Sequence, residues 1–157
     1  YYASQQRYPE NYTGIPASNA VMLGGVRSII WTEDGWPLVL PERYGAVPQT
    51  TITEADLVGN WQNISLGGCT DIWDGNCKMA TSVDFKLNAD HKVDPSSSWN
   101  AGATWGFDAS KKILTINGVK LYLKRELDWE ANPRVPTIVY AGLSADKKTT
   151  LWGKKVK

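Results

Sequence analysis

The most restrictive feature of this sequence is a series of turn signals that cut its second half into short β-branched and aromatic runs. Asp108-Ala-Ser-Lys, Asn117-Gly118 and Ser144-Ala-Asp-Lys each carry the residue types that tight turns select. Between and after them lie the β-rich runs 113–116, 119–127, 137–141 and 149–156. In the second run Val119, Leu121 and Leu123 alternate with Lys120, Tyr122 and Lys124, the period of a strand with one buried face. Asn117-Gly118 accepts positive φ at both positions, as a type I′ hairpin turn requires. No stretch has the apolar spacing of a three-turn helix, so the chain reads as all-β.

Upstream, strands are expected at about 58–66, 80–87 and 99–107, with one helical turn at 54–57. In the second of these Val83, Phe85 and Leu87 alternate with Asp84 and Lys86. From Val58 onward the sequence therefore predicts seven or eight short antiparallel strands, the form of a barrel or a sandwich, with a β-barrel of about eight strands favoured. Gly59-Asn60-Trp61, at the start of its first strand, resembles the Gly-x-Trp that opens a lipocalin barrel.

Before the barrel the chain has a different character. Residues 1–19 are polar and contain Gly14 and two prolines, so apart from a strand at 1–3 they read as irregular connecting chain. Residues 26–40 read as a hairpin: an apolar run from Val26 to Ile30, a turn at Glu33-Asp34-Gly35, and Leu38, Val39 and Leu40 returning. Residues 45–53 are small and polar, a linker composition, so the expected division is 1–44, a linker 45–53, and a barrel 54–157.

Composition narrows the function. Seventeen Lys and Arg against sixteen Asp and Glu leave a net charge of +1 with no basic or acidic block, which argues against nucleic acid and anionic membranes as partners. No apolar run approaches the roughly 20 residues of a membrane helix. The first residue is Tyr1, which reads as a mature or excised product. Eight Trp and seven Tyr stand against two Phe, and such rings serve either as core filler or as platforms for sugars. Trp61 and Trp105 fall in expected strands and are assigned to the core. Trp73 and Trp129 fall in expected loops and Trp99 where the Ser-rich loop meets the next expected strand; these three are the candidates for carbohydrate binding.

Catalytic chemistry is poorly supplied. The only histidine, His91, sits in a turn beside Asp90 and Lys92, the position of a solvated residue rather than a general base. Glu33, Asp34 and Glu42 are acids of the type glycoside hydrolysis uses, but sequence cannot show two of them facing across a cleft. One His and two Cys do not complete a zinc site, and Asp71, Asp74 and Asn76 miss the EF-hand spacing, so no metal and no cofactor is expected. Cys69 and Cys77 read as a disulfide closing a short loop, with two free thiols as the alternative. The disulfide would add somewhat less than the roughly 3 kcal/mol of a 15-residue loop and implies an oxidising compartment, hence a secreted or periplasmic location. Asn11-Tyr-Thr and Asn63-Ile-Ser match the N-glycosylation acceptor pattern.

The segment Val26-Arg-Ser-Ile-Ile-Trp-Thr-Glu-Asp-Gly-Trp-Pro-Leu-Val-Leu-Pro-Glu-Arg-Tyr44 resembles the end of the catalytic β-propeller in two-domain endo-1,5-α-L-arabinanases of glycoside hydrolase family 43. There the Asp-Gly-Trp-Pro hairpin and Pro-Glu-Arg-Tyr lead through a linker to a C-terminal barrel opening with Gly-x-Trp. The resemblance implies that residues 1–44 are the tail of a propeller and the remainder an accessory barrel. Family enzymes use an Asp base, a Glu acid and a further Asp, all upstream of this segment, so it implies no catalytic residue here. Some relatives place a His near a pore calcium in a late propeller strand; this chain has Gln5-Gln6-Arg7 in its first strand and gains no metal ligand from the resemblance. The expected function is a non-catalytic C-terminal domain of a secreted arabinan-degrading hydrolase. Its partner is a catalytic β-propeller in the same or a companion chain, with arabinan or a related polysaccharide as a further ligand. The alternative is a lipocalin-like barrel holding a small hydrophobic ligand.

Overall fold

The computed structural model describes residues 2–5, 22–66 and 80–156, and all regular structure among them is β. β1 (Tyr2–Gln5) pairs antiparallel with β2 (Met22–Gly25), and β3 (Arg27–Trp31) with β4 (Pro37–Arg43). Seven further strands make one antiparallel sheet: β5 (Gly59–Leu66), β6 (Val83–Leu87), β7 (Trp105–Asp108), β8 (Ile113–Ile116), β9 (Val119–Asp128), β10 (Val135–Leu143) and β11 (Thr150–Lys155). Their spatial order is β6-β5-β11-β10-β9-β8-β7, so the last strand inserts beside the first and every other neighbour is sequential. Asn117 and Gly118 take φ of 46° and 81°, the positive values their turn demands.

The sheet curls until its two edges share one core: Phe85 and Leu87 of β6 and Trp105 of β7 belong to a single buried cluster. Between these edges, Val93 pairs with Leu87 and Lys92 with Thr104, while the Trp105 N–H donates to the His91 carbonyl at 2.9 Å. This short bridge stands where an eighth strand would lie. The run expected as a strand over 99–107 becomes a strand only from Trp105 onward, with the isolated bridge at Thr104 before it. The Ala103 N–H turns back to the Asn100 carbonyl, and Gly102 sits at φ 82°, a turn conformation that a strand cannot contain.

Residues 45–53 lie along β9. Gln49 donates to the Arg125 carbonyl at 2.7 Å, and the Arg125 guanidinium donates to the Thr51 carbonyl at 2.9 Å and to Asp56 at 3.1 Å. Ile52 is buried in the barrel core. A Cβ at Gly45 would stand 2.5 Å from that of Leu127, so only glycine lets the chain pass β9 this closely.

The hairpin β3–β4 packs on the outside of the barrel. Its Leu38 and Leu40, with Ile30 beside them, join Ile113, Tyr122, Val139 and Ala141 in a second buried cluster. Period-two alternation places Tyr122 with Lys120 and Lys124 on the solvent side of β9; the tyrosine is instead buried because the hairpin covers that face. In the middle of β10 both faces are therefore buried.

Candidate functional site

The barrel interior is the first place to look for a ligand, and the described residues pack a core of large side chains there. Trp61 is fully buried, its indole N–H donating to the Leu57 carbonyl at 2.8 Å. Its ring centroid lies 6.4 Å from Phe85 and 5.7 Å from Tyr140, and Phe85 meets the edge of Trp99 at 6.1 Å. The Tyr140 hydroxyl donates to Asn63 Oδ1 at 2.6 Å, and Asn63 Nδ2 donates to Ser98 Oγ at 3.0 Å. Burial pushes the Tyr140 phenol well above its usual pKa, so it remains a donor. Directly across the ladder, a Cβ on Gly153 would fall 2.1 Å from the Tyr140 ring: the missing side chain makes the space the tyrosine occupies. Asn63, one of the two glycosylation matches, is thus a buried hydrogen-bonding residue rather than an accessible acceptor.

The seam between hairpin and barrel carries the acids that the sequence offers for catalysis. It forms a surface cleft of about 420 Å³ lined by Glu33, Asp34, Lys120, Tyr122 and Lys147 among others. Glu33 accepts from Lys111 at 2.6 Å and from Lys120, while its backbone N–H donates to the Tyr122 hydroxyl at 3.1 Å. Hydrogen bonds from Lys111 and Lys120 lower the Glu33 pKa. Asp34 accepts from Lys147 at 2.7 Å and Thr32 at 2.6 Å, and these bring its pKa from 3.8 to about 2. Both carboxylates are committed to lysines and held away from the pKa range of a general acid.

Glu42 has a different setting. It is buried, and its oxygens lie within 4.8 Å of ligand atoms of Asp128 and Glu130, a grouping that by geometry could hold a cation. The Lys154 ammonium already serves that cluster, 2.9 Å from Asp128 and 3.6 Å from Glu42, with Glu130 as a third partner. Desolvation raises the Glu42 pKa against the pull of Lys154. Burial favours protonated Asp128 and neutral Lys154, but hydrogen bonds prevail: those of Lys154 to Glu130 and Asp128 raise the amine, and those of Asp128 to Lys154 and to the Glu130 and Ala131 backbone lower the acid. The cluster ties β4 to β9 and β11, and the Lys154 ammonium stands among its carboxylates. Asp128 and Glu130 are two residues apart, but Glu42 and Lys154 come from distant strands, and no local signal marks them as neighbours.

Of the residues proposed for sugar, Trp99 is a core residue: it is 6% exposed and its ring packs on Phe85. Burial leaves it no face to offer a polysaccharide. Trp129 reaches the surface, with its indole N–H on the Arg43 carbonyl at 2.9 Å and the guanidinium carbons of Arg43 and Arg134 at 5.3 and 4.5 Å from the ring centroid. Trp73, Cys69 and Cys77 lie outside the described residues. His91 is exposed, as expected of a solvated turn residue; its Nε2 lies 3.1 Å from Glu54 and its ring centroid 4.9 Å from that of Trp105, tilted by 31°.

Comparison with known proteins agrees with this architecture. The family model GH43_C, a C-terminal lipocalin-like domain, matches residues 41–153. Among solved structures, the glycoside hydrolase family 43 YxiA protein from Bacillus licheniformis superposes with a TM-score of 0.63 at 22% identity, over 85% of this chain and 28% of that one. The endo-1,5-alpha-L-arabinanase from Thermotoga petrophila RKU-1 superposes with a TM-score of 0.62 at 23% identity, over 83% of this chain and 28% of that one. This chain thus spans little more than a quarter of the length of either. The comparison with curated proteins finds no match. The chain belongs to the GH43_C family of C-terminal lipocalin-like domains.

Proposed function

We propose that this chain is a non-catalytic accessory domain of a secreted arabinan-degrading hydrolase, acting as structural support for a catalytic β-propeller. The observation that carries the reading is the filled barrel: Trp61, Phe85, Trp99 and Tyr140 occupy the space in which a lipocalin-like carrier would hold a hydrophobic ligand. The committed state of Glu33, Asp34 and Glu42 supports the non-catalytic half. Incubation of the isolated chain with linear arabinan is expected to release no oligosaccharide. Turnover that disappears in Glu42→Gln or Asp34→Asn would overturn the reading.

Contact with polysaccharide is assigned to Trp129, the one of the three candidate rings that the described residues bring to the surface. Trp129→Ala is expected to reduce retardation on arabinan-containing gels, and unchanged retardation would remove that role. Secretion rests on the Cys69 and Cys77 spacing, and thiol titration of the unfolded chain should find no free thiol.

A further inference from the structure

At the end of β9 two arginines gather on a single indole ring. Trp129 follows the last residue of that strand, and Asp128 Oδ1 fixes the turn beyond it by accepting the backbone N–H groups of Glu130 and Ala131 at 3.0 and 3.2 Å. The ring is pinned at its edge, because its N–H donates to the Arg43 carbonyl at 2.9 Å. The guanidinium carbon of Arg43, the last residue of β4, lies 5.3 Å from the ring centroid, and that of Arg134, just before β10, lies 4.5 Å from it. The two charges therefore stand no further apart than those two distances together. Both arginines are exposed, and among the described residues neither guanidinium donates a hydrogen bond or enters an ion pair. Arg125, by contrast, spends its donors on the Thr50 and Thr51 carbonyls and on Asp56. The acids that adjoin the two partners in sequence, Glu42, Asp128 and Glu130, are gathered on Lys154.

An indole ring attracts a guanidinium and holds it in place, leaving its N–H edge free to meet a ligand. The planar fork of an arginine matches a carboxylate with two parallel hydrogen bonds, and a fork already held loses less freedom on binding. We infer that Arg43 and Arg134, mounted on Trp129, form a site for the carboxylates of an acidic polysaccharide, a polymer that contains uronate sugars; the inference rests on the assignment of polysaccharide contact to Trp129. The charge of the remaining chain selects a sugar polymer over a dense polyanion. With a net charge of +1 and no basic block, the surface has no broad field to gather nucleic acid or polyphosphate. Two held guanidiniums beside one aromatic ring suit carboxylates spaced along a chain of sugar rings, whose apolar faces can meet the indole. A neutral arabinan leaves both guanidiniums without a partner, so the arginines add affinity only where acid groups are present.

Electrophoretic retardation of the chain in gels containing polygalacturonate, fully methyl-esterified polygalacturonate or linear arabinan tests this. Polygalacturonate should retard the chain several-fold more strongly than its methyl ester does. Arg43→Gln and Arg134→Gln should each shrink that difference while the far-ultraviolet spectrum stays that of the parent, and the double variant should abolish it. Arg134→Lys should recover only part of the difference, because an ammonium lacks the fork. Equal retardation by the acid and its ester, with arabinan still retarding the chain in a Trp129-dependent way, would overturn the carboxylate site and leave polysaccharide contact in place. No retardation by any of the three polymers would overturn the contact and the site together. A difference that persists in the double variant would place acid recognition elsewhere and defeat the inference. Displacement by polyglutamate as effective as displacement by polygalacturonate, the mark of unselective polyanion binding, would defeat it as well.

Discussion

At the scale of single residues, the barrel is specified by what fills it. Gly153 and Tyr140 form one such unit, because the tyrosine ring lies where a side chain at 153 would be. Gly153→Ala should destabilise the chain by about 1–3 kcal/mol, the usual cost of overpacking a core, and chemical denaturation measures it. Tyr140→Phe keeps the packing and strands the Asn63 carboxamide, with an expected loss of about 1–3 kcal/mol. Trp61 and Trp105 are legible as core residues because they fall inside expected strands. Trp99 is not, since the segment around it has no period, and only the bridge between β6 and β7 carries it into the core. A glycine in a strand reads from sequence as a weakness; at position 153 its value comes from a tyrosine thirteen residues earlier.

At the scale of elements, the hairpin and its ion pairs decide how the N-terminal part meets the barrel. The turn of the hairpin is legible from Asp34-Gly35, and Gly35 takes φ of 85°. Its placement is not, because Lys111, Lys120 and Lys147 come from three different turns and strand ends that no local pattern relates to residue 33 or 34. The pH dependence follows from these contacts. Asp34 has its pKa lowered from 3.8 to about 2 by Lys147 and Thr32, so the unfolded chain binds more protons than the folded one between those values. Its contribution to stability is present above pH 3.8 and is lost as pH falls toward 2. Glu42 works in the opposite sense: its pKa is raised above 4.5, so stability declines as pH rises through that higher value. Asp34→Asn should flatten the acid side of the stability curve between pH 4 and 2, as read by thermal melts at stepped pH; an unchanged slope would show that the tip is not held by Lys147.

At the scale of the whole molecule, an all-β chain of short antiparallel strands follows from turn chemistry and alternation, and the lipocalin-like barrel from the resemblance carried by Gly59-Asn60-Trp61 and the hairpin. The eighth strand position is where that legibility ends: residues 88–104 are too rich in Asn, Asp, Ser and Gly to signal pairing, yet their backbone joins the two sheet edges. The same limit applies to the outside of the barrel. Tyr122 reads as solvent-facing until the hairpin is laid over it, and Trp31 and Trp36, whose bulk suggests packing, stand open to solvent with nothing from the described residues over them. The proposed role, support for a neighbouring domain rather than carriage of a ligand, rests on the packed core that the described residues form inside the barrel. Thermal unfolding of the catalytic unit in the full gene product, with residues 22–157 present or deleted, addresses that claim most directly. Support requires the deletion to lower the melting temperature of the catalytic unit while preserving arabinan cleavage per folded molecule at low temperature; an unchanged melting temperature, or cleavage abolished with the fold intact, would contradict it.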